Sequence, residues 1–326
     1  MPADELTGPC GLLVVDKPAG VSSHDVVART RKLLNTRRVG HAGTLDPMAT
    51  GVLVLGVGWA TRLLTYLIGN DKTYRATIRL GVATHTDDAE GDVTGGSDPA
   101  HLDADDVEAA LAPLRGPVLQ VPSSVSAIKV DGRASYERVR SGEDVELLAR
   151  PVTVHRLEVL DVRPVPPGSV AGVAHAGLDV DVLAEVSSGT YVRALARDLG
   201  AALGVGGHLT VLRRTVSGVF DVAEAVRVPG RRSADVDLDE ARLVVSAAML
   251  DLAAAARRCF DVREVGAQEA TLLGHGRRLP PWDTGDGVVA AIDPAGRLVA
   301  LVQDTGGEAR PVLVVPPALR VPATPV

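Results

Sequence analysis

Gly11 to Asp16 is an almost unbroken apolar run and predicts a buried strand ending in the turn Asp16-Lys17-Pro18-Ala19-Gly20. Ser22 or Ser23 caps a helix whose apolar positions, Val26, Val27, Leu33 and Leu34, share one face. A second apolar run, Val52 to Val57, predicts another buried strand, and Leu63, Leu64, Leu67 and Ile68 recur at helical spacing between Trp59 and Ile68. Polar and apolar residues alternate from Lys72 to Gly81, from Arg150 to Val162 and from Leu178 to Val186, as in half-buried strands. Val165 to Gly177 is rich in proline and glycine and reads as a loop. Leu102 to Leu114, with acids in its first turns, reads as a surface helix. Ser187 to Gly200 reads as a strand end, a turn and a helix closed by Gly200. Leu238 to Leu252 reads as one helix rich in Ala and Leu.

Alternating strands joined by uneven loops predict an α/β protein of the α+β kind around a mixed, largely antiparallel sheet. A chain of 326 residues is long enough for two domains. The texture changes near Phe260, where short apolar runs at Val288–Ile292 and Leu298–Val302 suggest a small β-rich domain. The expected division is therefore 1–255 and 256–326, with a frayed Pro-rich tail from Pro316. No stretch holds 18 uninterrupted apolar residues, so no membrane helix is expected. The short acidic start is unlike a secretory signal, and two cysteines without a paired pattern point to free thiols in the cytoplasm.

The formal net charge of −7 argues at first against a polyanionic partner. The distribution changes that reading. Nine acidic residues and no Lys or Arg lie between Asp87 and Glu108, so the rest of the chain is slightly basic. Basic residues cluster at Arg29, Arg31, Lys32, Arg37 and Arg38, and again at Arg213, Arg214, Arg227, Arg231 and Arg232. Such clusters fit either a nucleic-acid face or ordinary solvated surface.

The densest candidate chemistry lies in Arg37 to Gly51, which holds a basic pair, three glycines, one histidine and one carboxylate. Pro47 fixes its own φ and pushes Asp46 towards an extended conformation. Asp46 is thus placed on a rigid loop leading into a buried strand, as a capping aspartate or as a reactive group.

Gly40-His41-Ala42-Gly43-Thr44-Leu45-Asp46-Pro47-Met48-Ala49-Thr50-Gly51 resembles the catalytic motif of the bacterial tRNA pseudouridine synthases of the TruB type. Further blocks agree: Asp16-Lys17-Pro18 with Ser22-Ser23-His24, Lys72-Thr73-Tyr74, Ser126 to Gly132 with Ala134-Ser135-Tyr136, Tyr191 with Arg193, and Leu212-Arg213-Arg214. Together they span roughly Gly11 to Phe220. The chain departs at Val125, where the family usually has an aromatic.

The resemblance implies a pseudouridine synthase fold, a PUA-like RNA-binding C-terminal domain and isomerisation of uridine 55 in the tRNA T-loop. It makes Asp46 the catalytic carboxylate, Arg193 its guanidinium partner and Tyr74 the aid to C5 deprotonation. Tyr191 and Leu212 would wall the base, and His41 would fill the space of a flipped base or stack on RNA. Lys17 and Lys129 are carried over as substrate-binding or supporting residues. No cofactor and no metal are expected, since the isomerisation moves no electrons and no dinucleotide, Walker or zinc pattern is present. The expected partner is the tRNA T-arm, with a monomer acting without an obligatory protein partner or membrane. Two other classes stay open: a non-catalytic RNA-binding module or tRNA chaperone, and a metal hydrolase built on His41, Asp46, His85 and Asp87.

Overall fold

The computed structural model describes residues 8–123, 129–130, 133–134, 147–228 and 237–320. Its principal strands are β1 (Gly11–Lys17), β2 (Val39–Ala42), β3 (Thr50–Val57), β4 (Lys72–Leu80), β5 (Gly116–Gln120), β6 (Arg150–Val165), β7 (Gly177–Val186), β8 (Gly207–Ser217), β9 (Asp261–Glu264), β10 (Val289–Ile292), β11 (Leu298–Thr305) and β12 (Glu308–Val314). The longer helices are α1 (Ser23–Leu33), α2 (Ala104–Leu111), α3 (Val192–Ala202), α4 (Leu238–Ala247), α5 (Leu252–Cys259) and α6 (Ala267–Gly274). Contacts divide the chain into two compact units. One comprises Met1–Pro47, Gly51–Ile68 and Gly218–Val326, and the other Met48–Thr50 and Gly69–Ser217. Both combine helices with mainly antiparallel strands, the α+β class expected.

In the first unit β3 pairs antiparallel with β1 and with β2. It is buried from Gly51 to Val57, which is why its sequence is a continuous apolar run rather than an alternation. Leu12, Leu13, Leu53 and Leu55 are fully buried, each contributing about 1.5–3 kcal/mol through apolar burial. The helix expected over Leu238–Leu252 is two helices. Leu250 leaves the helical path to exchange both backbone hydrogen bonds with Leu12 (2.8 and 2.9 Å), and Asp251 then caps α5. The pairing with β1 outweighs the helix propensity of the Ala- and Leu-rich run.

The C-terminal sheet has the order β9-β10-β11-β12, parallel at its first pair and antiparallel afterwards. Ala290, Ile292 and Leu301 join a cluster with Leu12, Val14, Trp59, Leu252 and Ala256. Ala291, Val299, Ala300 and Val302 face a second cluster with Ala270 and Leu273 of α6. The strands alternate between the clusters with the two-residue period of a sheet covered on both faces, except at the register shift beside Val299, where Val299 and Ala300 share one cluster.

The second unit is built on an antiparallel sheet in the order β8-β4-β7-β6-β5. On one face of β4 lie Lys72, Tyr74, Ala76, Ile78 and Leu80, all buried. Their partners on β8 are Ser217, Arg214, Leu212, Leu209 and Gly207. Leu209 and Leu212 are three apart, as are Arg214 and Ser217, so a strict two-residue period would put them on opposite faces. Register shifts between Leu209 and Val211 and between Arg214 and Val216 absorb the extra residue each time.

Helix α3 covers the Leu80 end of this face. The sequence reading closes that helix at Gly200, but it runs on to Ala202. Gly200 is needed for close approach instead: a Cβ there would lie 2.2 Å from the Gly207 nitrogen.

Candidate active site

Asp46 sits, half-buried, on the irregular segment between β2 and β3. Gly43 (φ 83°), and Gly51 (φ 103°) at the start of β3, supply positive backbone angles at its two ends. The backbone on either side of Asp46 is clamped. On the N-terminal side, the fully buried Ser23 hydroxyl accepts from the Leu45 N–H (2.9 Å) and donates to the Leu45 carbonyl (3.1 Å). On the C-terminal side, the Pro47 carbonyl accepts from the Gly20 N–H (2.9 Å) and the Lys17 ammonium (3.2 Å).

Lys17 is 0% exposed and also donates to the carbonyls of Pro18 (3.0 Å) and Val21 (2.7 Å). From this place beneath the loop it acts on the backbone that carries Asp46. The serine cap of α1 is Ser22, whose hydroxyl accepts from Asp25 N–H in a capping box. That leaves the neighbouring Ser23 to hold the loop.

His41 lies on β2, half-buried, with its ring edge-on to that of His24 at 5.6 Å. Arg31, Lys32 and Arg37, near the end of α1 and after it, are exposed. Of the second basic cluster, Arg214 is buried on the β4–β8 face, Arg213 is half-buried and bonds Thr50 (3.2 Å), Arg227 is exposed, and Arg231 and Arg232 lie outside the described residues.

In the second unit Tyr74 and Leu212 share the buried face described above. Tyr74 is opposite Arg214 on β8 and Ala184 on β7, while Leu212 is opposite Ala76. Tyr191 is the N-cap residue of α3, with extended backbone and no side-chain cap of its own. Its N–H donates to Gln120 Oε1 (2.8 Å), and its carbonyl accepts from Gln120 Nε2 (3.1 Å).

Arg193, two residues on, is 3% exposed. Its guanidinium donates to the Thr86 carbonyl (2.8 Å) and lies 3.6 Å from the buried Asp88 carboxylate. One turn later Arg197 lies 3.4 Å from Asp87 and donates to the Val121 carbonyl (2.7 Å).

The acidic turn His85 to Asp92 thus has a role the sequence did not reveal. Asp87 adopts a left-handed backbone (φ 60°), which Asp tolerates better than most residues. Burial pushes its carboxyl above the usual range, while the nearby Ser123 hydroxyl and the Arg197 and Arg193 charges pull it back. Asp88 is organised from within the turn: its carboxylate accepts from the Thr86 hydroxyl (2.5 Å) and the Glu90 N–H (3.0 Å). Buried guanidinium groups need such partners, and this turn provides them for α3. A usable signal was an acidic pair in a turn combined with two arginines four apart on a helix.

Among the described residues no group of three or more His, Cys, Asp or Glu could hold a metal ion. Lys129 begins the short strand Lys129–Val130. The rest of its block, residues 124–128, 131–132 and 135–146, lies outside the described residues.

Three family models match successive stretches of the chain. They are the N-terminal domain of TruB family pseudouridylate synthase over residues 31–192, the tRNA pseudouridylate synthase B C-terminal domain over 193–229 and the tRNA pseudouridine synthase II C-terminal region over 260–316. The curated tRNA pseudouridine synthase B of Paenarthrobacter aurescens (strain TC1) is 53% identical over 319 residues, 94% of this chain and 95% of that protein. That of Mycolicibacterium paratuberculosis is 52% identical over 313 residues, 95% of this chain and 99% of that protein. A chain in the structure of an H/ACA RNP bound to a substrate RNA containing 2'-deoxyuridine matches with a TM-score of 0.66 and 23% identity, over 98% of this chain and 88% of that one. That likeness shows the pseudouridine synthase fold. With about half its residues identical to curated tRNA pseudouridine synthases along nearly its whole length, the chain belongs to the TruB family of pseudouridylate synthases, a family of isomerases.

Proposed function

We propose that this protein converts uridine 55 of the tRNA T-loop to pseudouridine, with Asp46 as the catalytic carboxylate. The observation that carries the reading is the double clamp on the Asp46 loop, which fixes a half-buried carboxylate between Ser23 on one side and Lys17 with Gly20 on the other. Catalysis needs reacting groups held in place before the substrate arrives.

The reaction breaks the bond from C1′ to N1, rotates the uracil and forms a bond from C1′ to C5. The C5 proton leaves and N1 gains one, so atoms and electrons balance without a redox partner. Asp46 attacks the sugar or supports its positive charge as the base departs. Arg193 keeps that carboxylate ionised and oriented. Tyr74, or water held by it, assists removal of the C5 proton. Tyr191 and Leu212 enclose the ring, and His41 takes the space the flipped base leaves. Lys129 meets the RNA, and Lys17 secures the loop from below.

The T-arm is unpaired at its loop, the usual target of specific RNA recognition. Exposed Arg31, Lys32 and Arg37 offer charges for phosphates. In this reading the functional division is 1–255 for chemistry and 256–326, PUA-like, for RNA. The enzyme works as a cytoplasmic monomer. Among the described residues no helix is long and apolar enough to cross a membrane.

The test is tritium release from a T-arm stem-loop labelled at uridine C5. Wild type is expected to release the label with or without EDTA. Asp46→Asn should bind the RNA with similar affinity and release none. Residual turnover above a few per cent of wild type would remove Asp46 from its role, and loss of wild-type activity in EDTA would favour the hydrolase-like alternative.

A further inference from the structure

Gln120 is the last residue of β5, an edge strand, yet it is only 3% exposed. Its carboxamide lies along the backbone of Tyr191 and satisfies both of that residue's peptide groups, as a neighbouring strand would. The amide orientation is fixed by its partners, since the nitrogen must meet the carbonyl and the oxygen must meet the N–H. Among the side chains of this length, only glutamine offers a donor and an acceptor side by side. Glutamate at neutral pH only accepts, and methionine does neither. One residue further, the Val121 carbonyl accepts from Arg197 (2.7 Å), so the end of β5 grips α3 at two points.

The geometry points to Gln120 as a positioning residue for the reaction: it sets the backbone of Tyr191 and thereby the direction in which the Tyr191 ring meets the uracil. The inference rests on the assignment of Tyr191 as a wall of the base site. It adds a residue outside that site and the atoms through which it acts. The Tyr191 carbonyl also accepts the first helical bond, from the Leu195 N–H (3.3 Å), so Gln120 adds to that bond a second donor on the carbonyl and a 2.8 Å acceptor for the N–H, and its loss loosens the peptide on both sides of Tyr191. A shift of about 1 Å in a group that orients substrate costs on the order of 100-fold in rate.

The experiment is single-turnover tritium release from saturating T-arm RNA by the full-length chain. It compares wild type, Gln120→Met, Gln120→Glu, Tyr191→Ala and the double variant Gln120→Met with Tyr191→Ala. Gln120→Met is expected to lower the rate about 10- to 100-fold while RNA affinity stays within about 3-fold. In the Tyr191→Ala background the same change should cost less than about 3-fold, because the ring it positions is gone.

Gln120→Glu supplies a second, milder reading. A protonated carboxyl again pairs a donor with an acceptor, and burial raises a glutamate above its usual value of about 4.3. Its rate relative to wild type should therefore recover as the pH is lowered from about 8 to about 5.5. Equal losses in the two Tyr191 backgrounds, or a Gln120→Glu ratio flat with pH, would overturn the positioning role. If Tyr191→Ala itself reacts at the wild-type rate, the assignment of Tyr191 fails first and the inference falls with it.

Discussion

Replacing Ser23 by alanine removes one oxygen but leaves two buried backbone groups of Leu45 without their partner. The Ser23 side chain is fully buried, and its hydroxyl holds the Leu45 N–H at 2.9 Å and the Leu45 carbonyl at 3.1 Å. Stranding a buried polar group costs about 1–3 kcal/mol, so the pair should cost about 2–4 kcal/mol after local adjustment. A methyl-sized replacement admits no good water bridge in a close-packed interior. The loss is local, because the clamp at Pro47 remains. It should appear as faster hydrogen exchange at the Leu45 amide by about 30- to 700-fold, taking about 1.4 kcal/mol per decade. Exchange measured by mass spectrometry on the peptide spanning β2 to β3 reads this directly. Single-turnover tritium release should fall in parallel as Asp46 loses its fixed position. Exchange at Leu45 unchanged within about 3-fold would refute the claim that Ser23 holds the loop.

Gly200→Ala should lower stability by about 3 kcal/mol or more, because its Cβ would meet the Gly207 nitrogen at 2.2 Å and force α3 off β8; a urea midpoint equal to wild type would contradict this packing. Burial, and next the Arg214 guanidinium, lower the Lys72 ammonium to about 8, with Asp71 opposing. An unfolded lysine titrates near about 10.4, so the unfolded chain binds more protons between these values, and stability from this group rises with pH from about 8 to about 10.4. Below about 8 both states are protonated and the contribution is flat. Lys72→Met should therefore flatten the rise in urea midpoint over that window, and an unaltered slope would refute the assignment.

The apolar runs and alternations located the buried strands well. Gly11–Lys17, Lys72–Leu80 and Gly177–Val186 follow from patterns that burial on one or two faces imposes. Local periodicity could not see the break between α4 and α5, because its cause is the long-range pairing of Leu250 with Leu12. The same limit hid the β8 register, where 209 and 212 share a face only because the strand bulges. The Asp46 loop was legible because proline and glycine act on the local backbone, and the resemblance covered the residues around it. Gln120 and Ser23 were not legible, and the Asp87–Asp88 turn left only an indirect sign in the two arginines four apart on α3. Their partners lie 71, 22 and about 107–110 positions away, and an ordinary polar residue carries no mark of a distant bond.

The apolar cluster that joins Leu12, Val14 and Trp59 to Ala290, Ile292 and Leu301 has a consequence for how the protein is made. The first strands leave the ribosome long before the residues that cover them exist. At about 5–20 residues per second, the wait is on the order of tens of seconds. The span Gly69–Ser217 is contiguous and forms most of a compact unit of its own, so it can complete while the remainder is still being synthesised. The strands that flank the Asp46 loop are therefore the last to be sealed. Until the final β-sheet emerges, they present an apolar surface that chaperones or neighbouring nascent chains can reach.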